Sequence, residues 1–276
     1  MKKVLVVFAM FMMMTAGFAQ KLKGSRIVTT EQREIGDFEN IEVENNIEVF
    51  LASGENSEIE IDADDNLHKA ITIDLSQGTL RIGLNQEVTG AKKLSVKVTY
   101  TSNLKMIIVK EAARITGLTD ISLDNLTIKS FGNSKIYSNI RAKVFTLMAN
   151  DKSHIEMNLN SDNATIELSN NAYLKALISA PRMKFDMYQK SSANVEGDIT
   201  DLTLRLDNNT TFTGKNLTAK NAAMVIEGFA KVSLNVASST IIEASGKADI
   251  ELSGEPRIEL TKFTDNASLR KKQKKA

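Results

Sequence analysis

Strict alternation of apolar and polar residues runs through most of the chain, and this feature limits the possible folds more than any other. Leu94, Val96 and Val98, for example, alternate with a serine and a lysine. Because successive side chains of an extended strand point to opposite sides, each such run predicts a strand with one apolar and one polar face. The other local signals are a short helix over 65–71 and a hairpin turn at residues 77–78. The sequence therefore predicts an all-β fold.

From about residue 110 onward, the alternation acquires a second, longer period of about 19 residues. In each repeat an apolar residue follows a short cluster of small or polar residues, and a second apolar position lies near the middle. The first position is held by Ile115, Ile136, Ile155, Leu174, Val195, Phe212, Val232 and Ile250. The second is held by Leu126/Ile128, Phe145/Leu147, Ile166/Leu168, Phe185/Met187, Leu204/Leu206, Val225, Ile241 and Ile258/Leu260.

Repeats of this length predict a solenoid, because each repeat buries its apolar residues only by stacking on its neighbours. We therefore predict a β-helix, or β-solenoid, with coils of about 19 residues, preceded by a strand-rich N-terminal section. Pairs such as Gly132-Asn133 and Asn170-Asn171 are expected at the bends, since Gly and Asn tolerate a left-handed backbone. An antiparallel sandwich would not need the double periodicity.

The same patterns divide the chain into five consecutive parts. We expect a signal peptide at 1–19, a lead-in at 20–37, an N-terminal β section at 38–110, solenoid repeats at 111–265 and a basic C-terminal tail at 266–276. Within the repeats, the side chains expected to point into the core are Ile155, Ile166, Leu174, Phe185, Val195 and Leu204. Those expected to face water are Glu156, Glu167, Lys175, Asp186, Glu196 and Arg205.

The first 19 residues have the features of a secretory signal peptide. Lys2 and Lys3 precede an apolar run over 4–14, and small residues end the segment at Ala19. The run is short for a membrane anchor, so we predict cleavage after Ala19 and export to the periplasm or the cell surface. No transmembrane segment is expected in the mature chain. The absence of cysteine fits a bacterial envelope protein better than a secreted eukaryotic one.

The composition leaves few groups for catalysis. The chain has no cysteine and only two histidines, His68 and His154, in different segments and outside any recognisable motif. Carboxylates such as Glu156 and Glu167 are candidates for acid–base chemistry on a glycan, but they occupy polar strand positions where any β protein places charge. We predict no catalytic residue and no cofactor.

Three tyrosines are the candidates for a binding surface. Tyr137 and Tyr173 are expected to point outward from equivalent strand positions two coils apart, and Tyr188 would extend the surface they form. Such rings suit stacking against sugars.

An acidic cluster is the candidate for a metal site. Asp62, Asp64 and Asp65 supply carboxylates of the kind that bind calcium, but the run lacks the central glycine and closing glutamate of the known twelve-residue loop. We therefore predict no metal site. Residues 20–269 have a net charge of −6, which excludes a nucleic-acid surface.

The opening of the β section resembles that of a known family. The segment Phe38–Leu51, with Gly54 and the later Gly78-Thr-Leu-Arg-Ile, is similar to the start of the putative auto-transporter adhesin head domain family, also called the GIN domain or DUF2807. The resemblance covers about residues 38–255, although Asn45 or Asn46 replaces the glycine of the name motif. It implies a β-helical protein of the Bacteroidetes envelope with an adhesive role, and it carries no catalytic residues.

These observations predict an exported, non-enzymatic β-solenoid that serves as a cell-envelope adhesion or binding module. The expected partner is a cell-surface glycan or an envelope protein, and the oligomeric state is left open. The alternatives are a carbohydrate-active β-helix enzyme, resembling a polysaccharide lyase or hydrolase, and a purely structural envelope scaffold.

Overall fold

The structure is a computed structural model that describes residues 21–272. Most of its strands pair in parallel with segments one coil earlier or later in the chain. Strands make up 68% of the chain and helix 2%, and the strands wind into a β-solenoid of about 9 turns with coils of about 19 residues. The predicted fold class is confirmed.

Residues 21–272 form 21 strands and one 3-10 helix, Asp65–Ala70. The strands of the N-terminal part are β1 Leu22–Lys23, β2 Val28–Glu34, β3 Asn40–Val43, β4 Glu48–Ser53, β5 Glu58–Asp64, β6 Ile71–Ser76, β7 Thr79–Leu84, β8 Val88–Thr89 and β9 Leu94–Tyr100. Those of the coils that follow are β10 Met106–Val109, β11 Arg114–Gly117, β12 Ile121–Ser130, β13 Lys135–Ala149, β14 His154–Leu168, β15 Tyr173–Met187, β16 Ser192–Leu206, β17 Thr211–Ile226, β18 Lys231–Ala244, β19 Asp249–Ser253, β20 Arg257–Phe263 and β21 Ser268–Lys272.

Each long strand runs along two sides of a coil and turns a corner between them. In the pairing of β15 with β16, Ala180 pairs with Ile199 and Arg182 with Asp201, so the ladder skips Pro181 at the corner. A proline fits there because its missing N–H would otherwise be needed by the ladder. We call the outward side of the stretches before the corner the front face, and the outward side of the stretches after it the back face.

The bend between successive coils uses a left-handed residue every time. The residues with positive φ at this position are Asn45, Glu111, Gly132, Asp151, Asn170, Gln189, Asn208, Gly228, Gly246 and Asp265. At Gly132 an added Cβ would lie 2.8 Å from the Cα of Glu111, so the stacked bends are tightly packed. The predicted bends at Gly132-Asn133 and Asn170-Asn171 are confirmed.

The solenoid core follows the predicted inward positions. All six inward residues of the repeats are buried, and the rings of Phe185 and Phe212 meet edge to face with centroids 5.3 Å apart. One outward prediction is wrong. Asp186 is only 8% exposed, because the strand neighbours Glu167 and Arg205 flank it and Lys184 Nζ lies 2.9 Å from its Oδ2.

Two details of the predicted repeat alignment are also wrong. Leu174 pairs with Ala193, so Ala193 rather than Val195 holds the first core position of its coil, although both point inward. At the second position, Met224 and Ile242 point into the core, while Ile241 is 46% exposed. The ladder shifts register in β16, β17 and β18 at β-bulges, which absorb extra residues and change the spacing.

The N-terminal end of the solenoid is closed by a cap. The first coil is formed by β3 and β4, which pair in parallel with β10 and β11 on one side and with β7 and β9 on the other. The antiparallel strands β5 and β2 extend one side, β6 extends the other, and the 3-10 helix crosses between them with Leu67 fully buried. The predicted helix and the hairpin at residues 77–78 are both present.

The parallel ladder therefore extends beyond the predicted solenoid limits of 111–265. At its C-terminal end, part of the predicted basic tail forms β21, which pairs in parallel with β19. The predicted signal peptide and its cleavage site lie outside the described residues. Among residues 21–272, no helix is both long and apolar enough to cross a bilayer.

Candidate functional site

A ladder of stacked side chains crosses four consecutive coils on the front face. It consists of Arg114, Tyr137, His154 and Tyr173, and we call it the aromatic ladder. The rings of His154 and Tyr173 are stacked with centroids 4.9 Å apart, and those of Tyr137 and His154 are 6.3 Å apart. The guanidinium carbon of Arg114 lies 5.9 Å from the ring centroid of Tyr137. The ladder thus forms a half-exposed aromatic strip along the rod.

The position of Tyr173 differs from the expected one. Tyr137 pairs with Glu156, whereas Tyr173 pairs with His154, so the two tyrosines are offset by two residues along their strands. Both still point outward because an offset of two keeps the same face. His154 fills the space between them. Tyr188 lies apart, in the bend that precedes β16.

His154 also connects the ladder to a carboxylate. Its Nε2 atom lies 2.9 Å from Oε1 of Glu156. This hydrogen bond holds the pKa of Glu156 below its usual value, against the opposing effect of desolvation, and the charges of His154 and Lys175 act in the same direction. Glu156 is therefore an ionised acceptor at neutral pH.

A shallow groove of about 650 Å³ opens beside the ladder. Its walls include Tyr137, Glu156, Lys175 and Glu196, and Leu177 lies in it with 52% of its surface exposed. The groove therefore combines an aromatic ring, an apolar side chain and charges of both signs. A polar chain with apolar ring faces, such as an oligosaccharide, matches this mixture.

Amide side chains line the same groove in register. Nδ2 of Asn158 donates to Oδ1 of Asn139 at 2.8 Å, and Nδ2 of Asn139 donates to Oδ1 of Asp120 at 3.2 Å. These bonds hold the amides in place before any ligand arrives, which lowers the entropy that binding would lose.

The three metal candidates, Asp62, Asp64 and Asp65, each accept hydrogen bonds from different partners. Asp64 is fully buried, and its carboxylate accepts hydrogen bonds from the backbone N–H groups of Arg26, Lys92 and Lys93. Asp62 accepts from Thr30 Oγ1 at 2.7 Å, and Asp65 accepts from Ser25. Within residues 21–272, no three His, Cys, Asp or Glu side chains are grouped so as to hold a metal ion.

The candidate catalytic groups do not converge. Glu156 lies on the front face and Glu167 on the back face, because the corner of β14 separates them. His68 lies in the cap, where its Nε2 is 2.9 Å from Thr29 Oγ1 and its Nδ1 is 3.1 Å from Glu31 Oε2. The front-face groove is lined by residues between 116 and 196, so His68 is far from it in the sequence.

Alternation in the sequence placed Tyr137 and Tyr173 at outward strand positions, but it did not identify the residues between and beside them. Lys135, His154 and Tyr173 are spaced by 19 residues, as are Asn139 and Asn158. Polar residues separated by one coil length were the signal for these ladders. Applied to outward positions, the same period that identified the core would have placed His154 beside Tyr173.

Several solved structures share this fold. A putative adhesin from Parabacteroides distasonis superposes with a TM-score of 0.70 at 16% identity, covering 91% of this chain and 100% of its own. A putative adhesin from Parabacteroides merdae has a TM-score of 0.64 at 16% identity, covering 92% and 99%. A putative lipid binding protein from P. distasonis has a TM-score of 0.60 at 13% identity, covering 91% and 99%. Such low identities show a common fold alone.

The sequence itself identifies the family. No curated protein matches the chain. The model of the family described as "Putative auto-transporter adhesin, head GIN domain" matches it twice, over residues 37–158 and 146–256. Together these matches include most of the cap and nearly all of the solenoid. The chain therefore belongs to the auto-transporter adhesin head GIN domain family, DUF2807.

Proposed function

We propose that this protein is an exported, non-enzymatic adhesion module that binds a glycan chain along its front face. The observation that supports this most is the aromatic ladder beside the groove, where Tyr137 and Tyr173 offer ring surface next to ordered amide and carboxylate groups. Sugar rings stack on aromatic faces while their hydroxyls bond to such polar groups. The adhesin family and the adhesin-like folds support a binding role.

The ionisation of the described groups supports a role without chemistry. The pKa values of Glu31, Asp64 and Glu156 are lowered, and those of Lys143 and Lys184 are raised. Burial, and then the charge of Asp120, raises the pKa of Tyr100 to about 12. Each of these shifts moves the pKa away from neutral pH and so favours the ordinary protonation state. A general acid or base instead has a pKa shifted toward neutral pH.

Binding of the purified protein to an array of acidic and neutral glycans tests the proposal. Tyr137→Ala and Tyr173→Ala should each weaken binding about fivefold or more, because each removes a stacking surface worth about 1 kcal/mol or more. Tyr188→Ala is the matched control, since this tyrosine lies in a bend outside the groove, and it should bind normally. Equal losses for all three variants, or normal binding by the two ladder variants, would contradict the assignment.

The alternatives give different results in a second experiment. A carbohydrate-active enzyme would turn over a substrate in a panel of uronic-acid polysaccharides, neutral glycans and esters, with or without calcium. Turnover that disappears when one outward carboxylate, Lys or Arg is replaced by Ala would overturn the non-enzymatic proposal. A structural scaffold would bind no glycan and would form no reaction product. We expect binding without turnover.

A further inference from the structure

At the C-terminal end of the solenoid, no part of residues 21–272 covers the last described coil. That coil consists of β20 and β21, whose outer edges pair with no strand among residues 21–272. Ile258, Leu260 and Phe263 are 37%, 49% and 37% exposed, although the core residues Ile242 and Ala244 occupy the matching positions one coil earlier. An open edge with apolar side chains is a surface that favours pairing with another strand.

The N-terminal end also presents unpaired strand edges. Its outermost strands are β2 and β6, which pair only with β5 and β7 among the described strands. Apolar side chains lie exposed here as well: Ile27 is 63%, Val28 39% and Leu75 36% exposed. Both ends of the rod therefore combine open edges with apolar surface.

The two ends carry opposite charge. Strands β20 and β21 contain five basic residues and one acidic residue, namely Arg257, Lys262, Arg270, Lys271, Lys272 and Glu259. Three of the basic residues are paired with Asp249, Glu255 and Glu251, which leaves a smaller excess of positive charge. At the other end, β2, the 3-10 helix and β6 contain four acidic and two basic residues, namely Glu31, Glu34, Asp65, Asp74, Arg33 and Lys69. Opposite charges favour contact between unlike ends and disfavour contact between two basic ends.

The strand directions at the two ends are also compatible. Strand β21 belongs to the parallel ladder that includes β4 and β9. Strand β5 is antiparallel to β9, and β2 is antiparallel to β5, so β2 runs in the same direction as β21. By the same reasoning β6 runs opposite to β20. Continuing the ladder would therefore pair β21 with β2 in parallel. Three strands, β9, β5 and β2, extend the side of β4, but only β7 and β6 extend the side of β3, so β20 and β6 would stay at least one strand position apart.

We propose that the C-terminal end of one copy docks on the N-terminal end of a second copy, so that molecules join head to tail. A tail-to-tail dimer is disfavoured because Lys271 matches the core position of Leu252, and two such lysines would meet at the junction. A lipid surface is disfavoured because it would leave the strand edges without hydrogen-bond partners. Repeated unlike contacts extend into filaments. Such an assembly would multiply weak contacts along one ligand, but it does not depend on glycan binding.

Sedimentation velocity of the purified protein over a concentration series tests the association. The average mass should rise at least about twofold with concentration and fall toward the monomer at high salt, because opposite charges are screened. Leu260→Lys should abolish the increase. Met148→Lys is the matched control, since Met148 is 43% exposed on the back face in the middle of the rod, and it should associate like the wild type. A wild-type monomer at all concentrations would overturn the proposal.

Cross-linking determines the orientation, because the chain has no cysteine of its own. Ser268→Cys places a thiol on β21 and Thr30→Cys places one on β2, and these positions are partly and fully exposed, respectively. A mixture of the two variants should form mixed disulfides, whereas each variant alone should not. Disulfides within Ser268→Cys alone would establish tail-to-tail pairing instead. Binding of monomers to phosphatidylglycerol vesicles that is lost in Leu260→Lys would assign the end to lipid. Either result would overturn the proposal.

Discussion

At the scale of single residues, Asp64 shows how one side chain joins three distant segments. Its carboxylate lies 2.7 Å from the backbone N of Arg26 and 3.0 Å from that of Lys93, and it also accepts from Lys92. Burial alone would raise its pKa. The hydrogen bonds from Lys93, Arg26 and Lys92 and the charge of Arg26 outweigh burial and hold the pKa below 3.8. The ionised form thus fastens the segments around Arg26 and Lys92 to β5.

The pH dependence of Asp64 follows from the direction of this shift. Because the folded pKa is lower than the unfolded one, the unfolded state binds more protons in the window below the ordinary value of 3.8. The stabilisation is complete above that window and is lost as the pH falls through the folded pKa. Asp64→Asn should lower the melting temperature by several degrees at neutral pH and by much less in acid.

The matched control for Asp64 is Asp62→Asn on the same strand. Asp62 is half-buried and bonds to one hydroxyl, that of Thr30, so its replacement should change the melting temperature little. Thermal unfolding of both variants and the wild type from neutral to acid pH makes the comparison. A gap between wild type and Asp64→Asn that stays constant with pH would contradict the assigned role.

At the scale of strands, the solenoid depends on register more than on the composition of any one coil. Most coils repeat after 19 residues, and the exceptions are absorbed at bulges. At one of these, Gly197 has a φ of +114°, and an added Cβ would lie 2.1 Å from the carbonyl oxygen of Ile178. Only glycine fits such a position, so this residue permits the shift that keeps later core residues pointing inward.

The assignment of faces within β14 gives a stability prediction. Ile155 is fully buried, so Ile155→Asp should cost about 3 kcal/mol or more, because it buries a charge and leaves a cavity. Glu167→Lys on the exposed back face of the same strand is the control and should change stability by less than about 0.5 kcal/mol. Denaturant unfolding measures both. Equal losses would mean that the strand is shifted by one residue.

At the scale of the whole molecule, the rod is asymmetric. One end is closed by antiparallel strands and a helix, and the other ends in exposed strands. In a solenoid each coil is stabilised by its neighbours, so a coil with one neighbour is held less firmly than a coil with two. The capped end and the middle should therefore form the stable part.

Hydrogen exchange of a dilute sample tests this asymmetry. Backbone amides of β20 and β21 should exchange much faster than those of β14 to β16, because opening the last coil disrupts fewer contacts. The amides of β9, which lies inside the cap between β4 and β5, should exchange slowly like those of the middle. Protection that is uniform along the rod would show that the molecule opens only as one unit.

The sequence alone determined the fold class, the coil length, the bends and nearly all of the core. These features are encoded by local alternation and by a repeat that is visible in the chain itself. The short helix and the hairpin of the cap were also predictable from local sequence signals.

Only the tertiary structure decided which residues of different coils become neighbours. Small differences in coil length moved Ala193 into the position expected for Val195 and put Tyr173 beside His154. It also placed Asp64 among backbone donors from two distant segments and left the last described coil uncovered by any other part of residues 21–272. The physical reason is that alternation sets which face a side chain occupies, whereas its neighbours depend on the number of residues in every intervening bend and bulge.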